Sequence, residues 1–394
     1  MSDAAVIIGA GQGAAQVAIS LRQGGFRAPV VIIGAEPYLP YQRPPLSKKF
    51  LSAPQAAESL FLRPHAFWRD QEVTLQLGTA VGAVDRGRRC VTLTDGRELA
   101  YASLVFATGT FARALPIPGV DRHGVHSLRS IEDVRRLRTE LDSARRVVII
   151  GGGYIGLEVA AVMRSEGRDV TVVEAEERVL KRVTGKTMSG FFDAFHRDKG
   201  VDIRLNIRAA GIAGDERVRS VRTSQAEELP ADVVLIAAGA CANDELAAAA
   251  GIRCRDGILV DETARTDSPG IYAVGDCTRF PSRRYARRLR LESVQNAIDQ
   301  AKVAAASILG RAETYDPVPW FWSDQYDLKL QIAGLADDHD SEQLIGDVAA
   351  PRFSVEYRKS GRLIAVDAVN DGRAHMMARR RIAQETAAEM AIGT

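Results

Sequence analysis

Two runs of the chain place glycines where a backbone must come close to a pyrophosphate. The first is Val6-Ile7-Ile8-Gly9-Ala10-Gly11-Gln12-Gly13-Ala14; the second, about 140 residues later, is Val147-Val148-Ile149-Ile150-Gly151-Gly152-Gly153-Tyr154-Ile155-Gly156. In such a run the first glycine (Gly9, Gly151) permits a tight turn and the second (Gly11, Gly153) lets the main chain touch phosphate. The third position must be small so that the following helix lies against the strand, and Ala14, preceded by Gly13, and Gly156 meet that need. An acid follows each run by roughly 20 to 27 residues, Glu36 and Glu174, where a carboxylate accepts hydrogen bonds from ribose hydroxyls.

These residues work only if the elements around them hold. Each glycine turn stands between a β-branched run and a helical stretch, to about Gln23 in one case and Ser165 in the other. A second apolar run follows, Val30 to Ile33 and Val170 to Val173. Both copies therefore read strand, glycine turn, helix, strand, acid, and each helix start offers free N–H groups and a positive dipole to phosphate. One chain with two such units predicts an α/β protein with two Rossmann-like dinucleotide-binding domains. Two dinucleotides follow, most economically a bound flavin (FAD) and an exchanging nicotinamide (NAD).

The flanking segments assign them. Leu104-Val105-Phe106-Ala107-Thr108-Gly109 and Ile271-Tyr272-Ala273-Val274-Gly275-Asp276 have the strand-then-glycine form that completes an FAD site around the first copy, with Asp276 hydrogen-bonding the ribityl chain. The order predicts an FAD domain in two parts, residues 1–110 and 239–316, interrupted by an NAD domain at 111–238, with Val233 to Gly239 opening the return to the first domain. From Pro317 the pattern changes. Phe353-Ser354-Val355-Glu356-Tyr357 and Leu363-Ile364-Ala365-Val366 are strands around the turn Lys359-Ser360-Gly361-Arg362, and a helix begins near Arg373. Residues 317–394 are thus a C-terminal α+β domain.

Composition sets the outer limits. The 394 residues are enough for two or three domains, and 46% apolar with 26% charged residues excludes disordered and fibrous classes. The 52 basic and 50 acidic residues leave a formal charge of +2, so no overall field draws the chain onto nucleic acid or an anionic membrane. Cys90, Cys241, Cys254 and Cys277 include no CxxC pair, and the six histidines are dispersed, which argues against a zinc site, a disulfide framework and a dithiol centre. No apolar run is long enough to span a bilayer, and Met1-Ser2-Asp3-Ala4 lacks a basic leader, so the expected compartment is the cytoplasm.

Three further motifs, in this order, carry a family likeness: Pro40-Tyr41-Gln42-Arg43-Pro44-Pro45-Leu46-Ser47-Lys48, Leu291-Glu292-Ser293-Val294-Gln295-Asn296-Ala297 and Pro319-Trp320-Phe321-Trp322-Ser323-Asp324-Gln325. With the glycine motifs, the chain resembles, over essentially its whole length, the FAD-dependent ferredoxin reductases of bacterial oxygenase systems. This is the putidaredoxin reductase type, related to dioxygenase reductase components, rubredoxin reductases and apoptosis-inducing factor. The resemblance implies a glutathione-reductase-like plan. It also implies a Lys48–Glu158 pair bridging the two dinucleotide domains at the hydride-transfer point, with Arg43 beside the flavin ring. Thr108, Gly109, Arg113 and Val294 are implied as FAD contacts, Trp322 with Trp320 as the aromatic segment near the ring, and Val81, Ile155 and Gly239 as further cofactor-binding positions.

The implied reaction is hydride transfer from NADH to FAD and release of single electrons to a 2Fe-2S ferredoxin serving a haem monooxygenase or an aromatic-ring dioxygenase; a rubredoxin or Rieske-type acceptor is the alternative. No side chain need move a proton, because the cofactors carry the chemistry. Glu174, followed by Ala175, Glu176 and Glu177, repels a 2′-phosphate and favours NADH, and Arg178 is the one residue that softens this. Disulfide reductases and NADH oxidases of the same plan need cysteines in the first helix, the NAD domain or Tyr41–Lys48, and none is there. The run Arg279–Arg290 is strongly basic, and Arg283, Arg284, Arg287 and Arg288 are the expected docking patch for an acidic ferredoxin. A nucleic-acid-binding or scaffold role, known on this fold, is the other reading of that run, but Tyr285 alone interleaves the arginines, which is thin for base stacking.

Overall fold

The β-branched runs beside each glycine turn form the middle of a parallel sheet, as continuous apolar strands covered on both faces must. A computed structural model of the chain describes residues 3–53, 55–350 and 352–392. Contacts divide it into two units. The first holds the chain up to Gln42, Ala56–Phe111 and Cys241–Pro317; the second holds Arg43–Gln55, Ala112–Ala240 and the chain from Val318 on.

In the first unit, Ala5–Ile8 pairs in parallel with Val30–Gly34 on one side and Ser103–Phe106 on the other, and Val73–Leu77 and Ile271–Ala273 complete five strands. Every residue of Ala5–Ile8 is buried. The helix Gln12–Gln23 follows the glycine turn and packs along the helix Val294–Ile308, whose start is capped by Ser293, its hydroxyl accepting from the Asn296 N–H at 3.1 Å. That cap accounts for the serine of the Leu291–Ala297 motif.

The second unit repeats the plan. Arg146–Ile150 lies between Asp169–Val173 and Val233–Ile236, all parallel, with the helix Tyr154–Ser165 after the turn. Val233–Ile236, expected to open the return to the first domain, is instead a strand of this sheet. Its four residues are buried on both faces, and its register with Val147–Ile150 completes the nucleotide unit's core. A three-stranded antiparallel layer, Ala209–Gly214, Val218–Thr223 and Glu228–Pro230, closes one face through Ile212, Val221 and Leu229 against Val148 and Val234.

The C-terminal residues form a five-stranded antiparallel sheet in the order Trp320–Gln325, Leu328–Gly334, Arg362–Val369, Phe353–Lys359 and Ser341–Gly346, with the helix Gly372–Ile392 against it. The turn Lys359–Arg362 has φ of +50° at Ser360 and +81° at Gly361, the two left-handed residues of a tight hairpin whose twist matches its strands. Among the described residues no helix is long and apolar enough to cross a membrane.

Candidate functional site

The first glycine cradle lies in the first unit. Gly9 has φ +110°, and a Cβ there would stand 2.2 Å from the Ala107 carbonyl oxygen, so no side chain fits where the turn passes the neighbouring strand end. A Cβ at Gly11 would meet nothing within 4 Å, which leaves open space beside the backbone. The helix that starts there has no side-chain cap, so its first N–H groups are presented to that space. Gly13 faces Val274 and Ala297, and Ala14 is buried. Glu36, half-buried past the second strand, accepts the Tyr41 hydroxyl at 2.7 Å, and its carbonyl accepts from Gly78 N–H on the way to Val81. On the other side, Thr108 Oγ1 donates to the Asn243 carbonyl at 2.6 Å and Asn243 N–H to that of Gly109. Gln300 Oε1 accepts from Gly275 N–H at 2.7 Å and so fixes the left-handed turn that carries Asp276. Val294 is half-buried at the start of its helix.

The second cradle repeats this geometry. Gly151 has φ +114°, and its Cβ would stand 2.4 Å from the Ala237 carbonyl; Gly153 is open; Gly156 has the Gly151 carbonyl 2.0 Å from where a Cβ would be. Ile155 is 39% exposed, an apolar side chain left uncovered at an uncapped helix start. Glu174 Oε2 accepts from Gly152 N–H at 2.6 Å and Oε1 from Glu176 N–H at 2.8 Å, so the acid and the glycine turn hold one another. Arg178 turns inward: its Nη1 donates to the Thr184 carbonyl at 2.8 Å and to Ser189 Oγ at 2.6 Å, and its Nη2 to the Lys181 carbonyl. Open space at the middle glycine, free helix N–H groups and a half-buried acid are what a dinucleotide needs, and both cradles fit one.

A buried ionic cluster lies within the second unit. Pro44 and Pro45 stiffen a turn over Pro44–Ser47, the short helix Lys49–Ser52 follows, and buried Leu46, Phe50 and Leu51 anchor both. The turn presents Lys48, whose Nζ stands 2.7 Å from Glu158 Oε2. Ser47 Oγ donates to the same oxygen at 2.5 Å, and Ser323 Oγ donates to Oε1 at 2.6 Å. Glu158 is 4% exposed, which an ionised carboxylate tolerates because three donors surround it. A carboxylate has about four lone-pair sites, so one stays open to a further donor. Lys48 and Glu158 were expected to bridge the two dinucleotide domains; both lie in the second unit, because Arg43–Gln55 packs with it.

The other expected residues are scattered by comparison. In the second unit, Arg43 donates to the Arg129 carbonyl at 2.6 Å, exposed Arg113 gives its N–H to the Gly239 carbonyl, and Trp322 lies half-buried beside Trp320 with ring centroids 5.9 Å apart. In the first unit, the basic run forms the hairpin Thr278–Ser282 and Arg287–Leu289. Arg283, Arg287 and Arg288 are exposed. Arg284 is partly buried and bonded to Asp316, while Arg290 is 9% exposed between Asp256 and Glu292, so the outward-facing patch is smaller than the sequence run. Sequence reasoning missed Ser47, Ser323, Gln325, His196 and Gln300. Strand alternation could have found Ser323 and Gln325, two polar residues on the same face of an aromatic strand.

The four cysteines are free. Burial pushes the Cys254 thiol up to about 12 and raises Cys277 and Cys90, which removes the thiolate that disulfide chemistry requires.

Residues 3–301 match the family described as pyridine nucleotide-disulphide oxidoreductase, and residues 320–392 match reductase C-terminal. A ferredoxin–NAD(P)(+) reductase of a Sphingomonas species is 46% identical over 96% of this chain and 92% of its own length. Among solved structures, the ferredoxin reductase for the CYP199A2 system of Rhodopseudomonas palustris superposes with a TM-score of 0.94 at 41% identity, covering 96% of this chain and 94% of that one. The putidaredoxin reductase of the covalent complex with putidaredoxin gives 0.93 at 40% identity, covering 96% and 93%. With two glycine cradles, a buried lysine–glutamate pair in place of a thiol pair, and this likeness over nearly its full length, the chain belongs to the pyridine nucleotide-disulphide oxidoreductases, in their ferredoxin-reductase branch.

Proposed function

We propose that the chain is an NADH-dependent ferredoxin reductase. The observation that carries this reading is the Lys48–Glu158 pair beside an open, uncapped nucleotide cradle, in a chain whose four cysteines are all free. FAD, when bound, supplies the conversion of a hydride into two single electrons. The first cradle would hold its pyrophosphate on Gly9, Gly11, Gly13 and Ala14, its ribose on Glu36 and its ribityl chain on Asp276, with Val81, Thr108, Gly109 and Val294 as further contacts. Arg43, Arg113, Gly239 and Trp322 are the further flavin-binding positions that the family likeness implies. Lys48, held by Glu158, would supply the positive charge that a reduced flavin calls for. Glu158 holds that ammonium and keeps one lone pair for the carboxamide of the nicotinamide.

NADH is preferred over NADPH on geometric grounds. Glu174 is fixed at the ribose position by two backbone N–H groups, and Arg178 is committed to carbonyls within the second unit and to Ser189. Neither leaves a cation for a 2′-phosphate. The acceptor is a 2Fe-2S ferredoxin of an oxygenase system, docking on Arg283, Arg287 and Arg288 with Arg284 at the edge, and the unpaired thiols suit a reducing cytoplasm.

Anaerobic titration of the purified yellow protein tests the reading. NADH bleaches the flavin band, NADPH does so much more slowly, and cytochrome c is then reduced only when a 2Fe-2S ferredoxin is added. A rubredoxin that replaces the ferredoxin with higher kcat/KM would move the acceptor to rubredoxin. A colourless protein, or electrons passed only to oxygen or a thiol, would overturn the assignment.

A further inference from the structure

The hydrogen bonds on Glu158 do not stop at Ser323. Gln325 Nε2 donates to Ser323 Oγ at 3.1 Å, and Gln325 Oε1 lies 2.8 Å from His196 Nε2. Ser323, Gln325 and His196 are all fully buried. The chain therefore runs from His196 on the helix Lys186–Asp198, through the first strand of the C-terminal sheet, to the carboxylate that holds Lys48.

Its polarity is fixed from one end. Glu158, with Lys48 on one oxygen, is an acceptor, so the single Ser323 proton goes to it. Ser323 must then accept from the Gln325 amide, and the Gln325 carbonyl must accept from His196 Nε2–H. Burial pushes the His196 pKa down, which favours the neutral ring, and its Nδ1 has no acceptor to donate to, so the ring proton is free to sit on Nε2. The register also matches. Strand residues two apart rise about 6.6 Å and helix residues four apart about 6.0 Å, so alternate residues of one strand can meet successive turns of a helix. Here Phe321 stacks on Tyr154 with centroids 4.6 Å apart, and Ser323 bonds Glu158, four residues on.

We propose that Ser323 and Gln325, backed by His196, are positioning residues that fix the orientation of Glu158 and through it of Lys48, so that the C-terminal sheet takes part in hydride transfer. This inference rests on the reductase reading above. Removing Ser323 leaves Glu158 Oε1 without its donor, and the carboxylate can rotate while its ion pair survives. The rate lost is then that of flavin reduction, with nucleotide binding largely kept.

The test is stopped-flow reduction of the FAD-loaded protein by NADH, together with calorimetric binding of NAD⁺, FAD content and the unfolding midpoint, in the wild type, S323A, S323T and Q325M. In S323A the reduction rate falls about tenfold, as expected for one hydrogen bond to a charged group. NAD⁺ affinity, FAD content and midpoint stay close to wild type, and S323T, which restores the hydroxyl, recovers most of the rate. Q325M lowers the rate less than S323A does, because it leaves the Ser323–Glu158 bond in place. A wild-type reduction rate in S323A would overturn the proposal. So would a slow S323A that S323T does not rescue, or whose loss follows lost FAD or an earlier midpoint. A wild-type protein that NADH does not bleach would overturn the reductase reading itself, and this inference with it.

Discussion

Asp367 to Asn should change how stability depends on pH. Asp367 is fully buried in the strand Arg362–Val369; its Oδ2 accepts the Tyr357 hydroxyl at 2.6 Å and its Oδ1 makes no hydrogen bond. Burial, with some help from the charge of Glu342, pushes its carboxyl up to about 8 from an ordinary value of 3.8. The folded protein thus keeps a proton that the unfolded chain loses near pH 4. A carboxyl raised in this sense stabilises most at low pH, loses that contribution as pH rises from about 4 to about 8, and changes nothing further above. Each pH unit in the window is worth about 1.4 kcal/mol, so from pH 5 to pH 7 wild type should lose on the order of 2 to 3 kcal/mol through this one group. Asparagine is neutral throughout and keeps an acceptor for Tyr357. The assay is urea unfolding followed by tryptophan fluorescence at pH 5, 6 and 7. Wild type minus D367N removes the carboxylates that act in the opposite direction, among them Glu342, held below its usual range by Lys186 and Thr187 N–H groups despite its partial burial. The stability of D367N should gain steadily on that of wild type as pH rises. Parallel pH curves for the two proteins would refute the reasoning.

Three other outcomes are expected. Gly156 to Ala puts a Cβ against the Gly151 carbonyl and should weaken NAD⁺ binding, measured by calorimetry, by about tenfold or more while FAD stays bound. Glu174 to Ala should cut the NADH-to-NADPH ratio of kcat/KM by about tenfold, whereas Arg178 to Ala should hold it within about twofold, since that guanidinium is committed to the protein itself. Reversing charge at Arg283, Arg284 and Arg287 should raise the KM for a 2Fe-2S ferredoxin about tenfold at low salt and leave NADH-to-ferricyanide turnover alone; an unchanged KM would move the docking site elsewhere.

Much of the fold was readable because strong local rules coincide in it. A β-branched run, a glycine turn and a helix leave few alternatives, and the hairpin at Ser360-Gly361 is encoded in two residues. The Val233–Ile236 strand was misassigned because a buried parallel strand carries no mark of which sheet it joins, and only its pairing with Val147–Ile150 decides that. Lys48 and Glu158 were visible through the family likeness, but the serines that hold Glu158 were not. Their signal is tertiary: Ser47 and Ser323 are 276 positions apart and meet only on the carboxylate. The basic run misled in the other direction, since sequence shows charge but not the acids, Asp256 and Glu292, that pair with Arg290, nor the Asp316 main-chain carbonyl that takes the Arg284 guanidinium.

Glu174 accepts from two of the protein's own amides, one of them in the glycine turn itself. A lobe that shapes its recognition group in advance has little to reorganise when a guest arrives and little to recover when it leaves. Glu36 is held instead by the phenol of Tyr41, itself only 3% exposed, so that acid too is fixed by the fold.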